Sequence, residues 1–225
     1  MNRRQYLATV GVASASTVLA GCLSGDEYRT YDTGGQEVPL APVEDTYEWY
    51  QEDALFLDAT NEVQHQRRRI DGSELSPPAR PDFEHPTEGV DPDRRIVTYC
   101  ICPYNLAGAR AAELLNEGFE RVYAIEEGLD GWDEAGYPIA GAVASPAFSL
   151  YTVSGRTDPA AAGQQVWLEE PESNQRYVTR VDEDGTFEMT FEFADVDDET
   201  IVVLELPDQR LERTLGELSD GEVRL

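Results

Sequence analysis

Residues 96–100 read Ile-Val-Thr-Tyr-Cys; after a loop come ARAAELLNEGFERVYAI (109–125) and EEGLDGWDEAGYPI (126–139). The first five residues form an apolar run that ends on a cysteine, as expected for a short buried strand over 96–99. Ala111, Ala112, Leu114 and Leu115 line one face of a helix over 108–116, and Gly118 supplies its stop signal. Residues 121–125 form the next strand. Strands that alternate with helices pair in parallel, so the stretch predicts an α/β sheet. Such sheets place their functional crevice at the carboxyl ends of the strands, and Cys100 stands at one of these ends. A sulfur between a strand end and a helix N-terminus meets unpaired backbone N–H groups and a positive helix end. That setting favours thiolate over thiol.

Moving toward the N-terminus, residues 45–50 predict a helix capped by Asp45 or Thr46, and residues 54–57 a strand that ends at Asp58. A Pro-rich loop follows Ile70-Asp71-Gly72-Ser73 and carries Pro77, Pro78, Pro81 and Pro86. Residues 23–40 are polar, contain Gly34-Gly35, and are expected to be a tether. The pattern changes beyond Gly141. Residues 148–153, 165–168, 177–181, 186–193 and 201–206 predict short strands with no helix between them, and Asp182-Glu183-Asp184-Gly185 a hairpin turn. The expected organisation is an α/β domain over 41–141 with a parallel sheet flanked by helices, and an all-β sandwich over 147–225. The second unit contains neither Cys nor His, so it is expected to be chemically inert.

Composition bounds the function. The formal net charge is -28 and all 17 basic residues are Arg. A surface this acidic excludes nucleic acid as partner, because phosphate binding needs a basic face. Acidic excess without Lys resembles proteins of halophilic archaea, whose surface charge is screened by salt. Residues 1–22 read as a targeting segment. Arg3-Arg4 precede an apolar stretch over 7–20, and Leu19-Ala20-Gly21-Cys22 closes it. The twin arginines match export of folded proteins, and the ending resembles a lipobox in which Cys22 is lipidated. The expectation is an exported protein held by lipid on the outer face of the cell membrane.

Of the three cysteines, Cys100 and Cys102 remain for chemistry. Their C-x-C spacing closes a very small, strained ring, so a disulfide between them is easily reduced. His65 and His85 lack ligand spacing to the pair, so no metal and no cofactor is expected.

One further pattern carries a family resemblance. Glu127-Gly128-Leu129-Asp130-Gly131-Trp132-Asp133-Glu134-Ala135-Gly136-Tyr137-Pro138 is similar to the Gly-Gly, Trp, Ala-Gly-x-Pro signature of the rhodanese-like (sulfurtransferase) family, with Glu127 at the first Gly. Gly118-Phe119 also matches, and so, more distantly, do Leu57-Asp58-Ala59-Thr60 and Arg69-Ile70-Asp71-Gly72-Ser73. The resemblance implies that Cys100 attacks the outer sulfur of a small donor, holds it as a persulfide, and passes it to a thiol acceptor. It places the active-site loop over Ile101, Pro103, Tyr104, Asn105, Leu106, Ala107 and Arg110, and makes Asp58 a loop-ordering acceptor. Cys102 becomes a second thiol able to resolve the persulfide or act as the nucleophile. Family loops often run Cys-x-x-Gly-x-Arg, whereas here the only loop charge is Arg110, and Pro103 has no N–H. Phosphatases of the same fold need Cys-x5-Arg, and Leu106 occupies that Arg position. Three readings stand: a sulfurtransferase or persulfide carrier, a non-catalytic binding module, and a C-x-C thiol–disulfide redox protein. The C-terminal segments 153–157, 166–168 and 184–187 resemble transthyretin-like or carboxypeptidase-regulatory modules.

Overall fold

The structure is a computed structural model, and it describes residues 28–33, 35–101, 104–141 and 148–224. The N-terminal half runs β1 (Arg29–Asp32), β2 (Glu37–Ala41), α1 (Val43–Gln51), β3 (Leu55–Asp58), α2 (Glu62–Arg67), β4 (Arg69–Ile70), β5 (Glu74–Leu75), β6 (Ile96–Tyr99), α3 (Asn105–Glu117), β7 (Val122–Ile125), α4 (Gly128–Glu134) and β8 (Ile139–Ala140). Six strands form one sheet in the order β1-β2-β7-β6-β3-β5, with β2, β7, β6, β3 and β5 mutually parallel.

Side-chain alternation along these strands explains the layers. Leu55, Leu57, Ile96 and Cys100 point into one apolar cluster beneath α3. Phe56, Val97 and Tyr99 point into the opposite cluster, which contains Trp132 and is packed by Tyr47 and Tyr50 of α1. Every position of β3 and β6 is therefore buried, as for a parallel sheet covered on both faces.

The expected tether through residue 40 gives way to structure from Arg29 onward. β1 pairs antiparallel with β2, and Gly35 (φ 126°) lies in the turn between them. Val38, Leu40 and Ala41 are buried, and Tyr31 packs over α3. Gly35 reads locally as linker, but it belongs to a hairpin turn. The targeting segment with Cys22 lies outside the described residues, as do residues 142–146 between the two expected domains. Among the described residues, no helix is long and apolar enough to cross a membrane.

The C-terminal half adds β9 (Phe148–Arg156), β10 (Gln165–Glu170), β11 (Gln175–Arg180), β12 (Thr186–Ala194), β13 (Ile201–Glu205), β14 (Arg210–Thr214), α5 (Leu215–Ser219) and β15 (Glu222–Arg224). Its sheets are β11-β10-β13-β14 and β12-β9-β15. Val166, Leu168, Val202 and Leu204 from the first share one core with Val153, Phe187, Met189 and Phe193 from the second. The expectation that no helix interrupts these strands is corrected by α5. Thr214 and Glu217 form a reciprocal capping box there, and Leu215 and Leu218 are buried.

Candidate functional site

Cys100 follows β6 directly and is 1 % exposed. Four hydrogen bonds hold this strand end in place. The Thr98 hydroxyl donates to the Ala107 carbonyl at 2.9 Å and so ties β6 to α3. Leu129 N–H donates to the Cys100 carbonyl at 2.8 Å, which ties the cysteine to the first turn of α4. The Tyr99 hydroxyl receives the Ile70 N–H at 3.1 Å and lies 2.6 Å from Ser73 Oγ. Burial first, then the nearby Asp58 carboxylate, push the Tyr99 phenol well above its ordinary pKa, so it remains a neutral member of this network. Immediately before α3, Tyr104 adopts a left-handed backbone (φ 42°), which turns the chain into the helix. The α3 N-terminus thus lies just beyond the cysteine loop, with no acidic residue in its first turn.

Cys100 lines a cavity of about 230 Å³. Thr60, Gln64, Cys100, Ile101, Leu106 and Asp130 line it from the N-terminal half. The remaining wall comes from the C-terminal half, through Leu150 of β9, Arg176 and Tyr177 of β11, and the stretch 190–193 of β12. This joint is built, not incidental. Gln64 Nε2 donates to the Glu192 carbonyl at 3.2 Å, and Asn105 Nδ2 to the Tyr177 hydroxyl at 3.1 Å. Arg176 Nη1 donates to the carbonyls of Pro78 and Ala79 at 3.2 and 2.9 Å. Val178 belongs to the same buried cluster as α3, and the Arg67 guanidinium lies 3.6 Å over the Phe148 ring. The C-terminal unit, expected to be chemically inert, contributes no Cys or His but lines the cavity beside Cys100.

The expected loop residues separate. Ile101 and Leu106 line the cavity, whereas Leu106, Ala107 and Arg110 lie within α3 and not in a loop. Ala107 is buried against β6, and the Tyr104 ring packs on Tyr31 at 5.0 Å. Cys102 and Pro103 lie outside the described residues. Arg110 departs most from expectation. It is 1 % exposed and faces away from the cavity lining, with Nε donating to Ser76 Oγ at 2.9 Å and Nη1 to Glu113 and Glu117 at 2.9 and 3.1 Å. Helical spacing explains this: residues 110, 113 and 117 share one face of α3, and two carboxylates hold the cation there. Among the described residues, Arg176 is the cation that lines the cavity. It sits on a β-strand far along the chain, and no local motif marks it.

Asp58 is 1 % exposed and orders its surroundings. Its Oδ1 accepts from Thr60 N–H and Oγ1 at 2.9 and 2.6 Å, and Oδ2 lies 2.9 Å from His65 Nδ1. His85 lies 2.9 Å from Ser76 Oγ, and burial, then the Arg110 charge, lower its pKa. Trp132 is fully buried and donates to the Pro138 carbonyl at 3.0 Å. Glu127 accepts the Val43 N–H at 3.0 Å, so the residue that departs from the Gly-Gly signature binds the first turn of α1. Among the described residues, no three His, Cys, Asp or Glu side chains gather for a metal ion.

These features define a class, and residues 43–135 match the family model of the rhodanese-like domain. That stretch is therefore similar to a rhodanese-like domain. Over 51 residues it is 40% identical to the thiosulfate sulfurtransferase GlpE of Actinobacillus pleuropneumoniae, a match spanning 22% of this chain and 45% of that protein. Among solved structures, the BH2092 protein from Bacillus halodurans aligns with a TM-score of 0.42 at 20% identity, covering 46% of this chain and 77% of the other. A thiosulfate sulfurtransferase from Pseudomonas aeruginosa aligns with a TM-score of 0.40 at 21% identity, covering 45% of this chain and 20% of the other.

Proposed function

We propose that this protein is a rhodanese-type sulfurtransferase or persulfide carrier in which Cys100 accepts sulfane sulfur from a small donor and yields it to a thiol. The observation that carries this reading is Cys100 itself, which follows β6 and lines a cavity just ahead of the α3 N-terminus. The thiolate attacks the donor's outer sulfur. A new S–S bond forms at Sγ, and the donor's remaining fragment leaves with the electron pair of the bond that breaks. Backbone N–H groups and the helix end favour the anionic persulfide. The test is mass spectrometry of the intact protein after incubation with sulfane-sulfur donors. Wild type should gain about 32 Da, one sulfur on the oxidation ladder of a thiolate, and Cys100→Ser should not. An adduct that persists in Cys100→Ser and disappears in Cys102→Ser would place the chemistry on the other cysteine.

A second reading, a non-catalytic binding module, is favoured by the engagement of Arg110 with Glu113 and Glu117 away from the cavity. A complete absence of adduct in wild type would favour it.

We further read residues 1–22 as a twin-arginine lipoprotein signal, with Cys22 carrying lipid and both halves of the chain outside the cytoplasm. Arg3-Arg4 and Leu19-Ala20-Gly21-Cys22 support this. Cys22→Ser should move the protein from the membrane to the soluble fraction, and a variant that still pellets with membranes would point to an uncleaved anchor. The C-terminal sheets, which share one apolar core, are read as a β-sandwich that presents its β11 and β12 edge to the cysteine.

A further inference from the structure

We infer that the C-terminal β region selects the sulfur donor, and that the Cys100 cavity takes a thiosulfonate with a small apolar body in preference to inorganic thiosulfate. This rests on the sulfur-transfer reading and deepens it.

Three observations carry the inference. First, the walls around the sulfur are largely apolar: Ile101 and Leu106 on one side, Tyr177, Phe191 and Phe193 on the other. A small dianion entering such walls gives up much of its hydration against mostly apolar surface, whereas an alkyl or aryl body gains by leaving water. Second, the charges do not suit a dianion. Arg110 is held by two glutamates outside the lining. The lining cation, Arg176, gives Nη1 to the Pro78 and Ala79 carbonyls, and its Nε, without a hydrogen-bond partner, stands 3.7 Å from Glu169, while Glu192 and Asp130, itself paired with Arg68, line the same cavity. A monoanion demands less counter-charge, and the α3 N-terminus meets part of that demand. Third, Leu150 lines the cavity yet is 67% exposed, so the rim itself carries a large apolar side chain in water. Singly exposed leucines are ordinary; this one sits where an apolar ligand body would cover it.

The step balances without an outside oxidant or reductant. Once its proton has gone to solvent, the Cys100 thiolate attacks the terminal sulfur of R–SO2–S⁻. The Sγ–S bond forms as the bond to the sulfonyl sulfur breaks, and the electron pair leaves with the sulfinate R–SO2⁻. Cys100 then carries –S–S⁻.

The experiment uses the full chain and two donors, benzenethiosulfonate and thiosulfate, with Cys100 persulfide followed by mass spectrometry. Binding of benzenesulfinate, the leaving group, is measured separately by calorimetry and requires no chemistry. Wild type should load from benzenethiosulfonate at least about tenfold faster than from thiosulfate, the scale of discrimination an apolar pocket supplies. Leu150→Glu, on an exposed rim position, should narrow that ratio and weaken sulfinate binding. Thr190→Arg, on an exposed strand position, should speed thiosulfate loading. Equal loading from both donors in wild type, with ratios unmoved in both variants, overturns the inference and leaves sulfur transfer standing. Sulfinate binding weakened by Leu150→Glu, with no persulfide from either donor, supports the apolar anion site and overturns sulfur transfer. Neither loading nor sulfinate binding overturns both.

Discussion

The two halves of this chain bury their strands differently, and the difference bears on where chemistry can sit. In β3 and β6 every residue is buried, with successive side chains serving opposite faces of the parallel sheet. In β12 the burial alternates, so that Phe187, Met189, Phe191 and Phe193 face the core while Glu188, Thr190 and Glu192 face water. A doubly covered strand has only its carboxyl end to offer a ligand, and Cys100 is placed there. A strand covered on one side can lend its end or its open face to a neighbour, and β12 lends residues 190–193 to the cysteine cavity. The nucleophile thus comes from the half with no spare surface, and most of the wall from the half with surface to spare.

The comparison breaks most sharply if the halves prove independent. Trp132 and Phe187 are large, fully buried side chains in separate cores, and truncating either to Ala should cost about 3–5 kcal/mol. Because Val178 of β11 lies in the α3 cluster, both variants should lower the midpoint of one shared denaturant transition. Two transitions by intrinsic fluorescence, with Trp132→Ala moving just one of them, would show that the joint adds no cooperativity.

A smaller effect tests whether the N-terminal hairpin belongs to the first half. A Cβ on Gly108 would stand 2.5 Å from Tyr31 Cδ1. Gly108→Ala should therefore destabilise by about 1–3 kcal/mol through overpacking, offset by up to about 1 kcal/mol of gained helix propensity. Adding Tyr31→Ala should recover most of the loss. Urea melts decide it: a stabilised Gly108→Ala protein would free β1 from α3 and restore a tether reading through residue 40.

The smallest effect concerns His85, which joins Ser76 and the Arg80 carbonyl in the first half and faces Arg110, Glu113 and Glu117. Its folded pKa lies below the ordinary 6.5, so the unfolded chain takes up a proton first as pH falls. The contribution is fully present above about pH 6.5 and is lost as pH drops through that value toward the folded pKa. Unfolding free energy measured from pH 7.5 to 5.5 should fall more steeply in wild type than in His85→Gln. Equal slopes would remove His85 from the pH response.

Much of this was legible in residue order. The run 96–100, the helix with its Gly118 stop and the strand after it appear as expected, with α3 beginning three residues earlier than the apolar face suggested. The turn at 182–185 and the strands around it also appear, although β12 pairs with β9 and not with β11. Asp58, the last residue of β3, accepts hydrogen bonds from Thr60 N–H and Oγ1. By contrast, the hairpin of β1 and β2 was hidden by Thr33-Gly34-Gly35, because a Gly pair suits a turn and a linker equally well. The five-residue α5 was hidden because so short a helix carries too few positions for a period.

What the sequence alone determined is the local, periodic part: strand, cysteine, helix, and the switch from α/β alternation to strands alone. These depend on neighbours within a few residues, and side-chain periods of 2 and 3.6 write them into the order of apolar positions. The reach of Arg110 to Ser76 and the meeting of Cys100 with Tyr177, Phe191 and Phe193 at one cavity were decided only in three dimensions. They are contacts across tens of residues, and no local pattern encodes which surface of one half closes over a cysteine in the other.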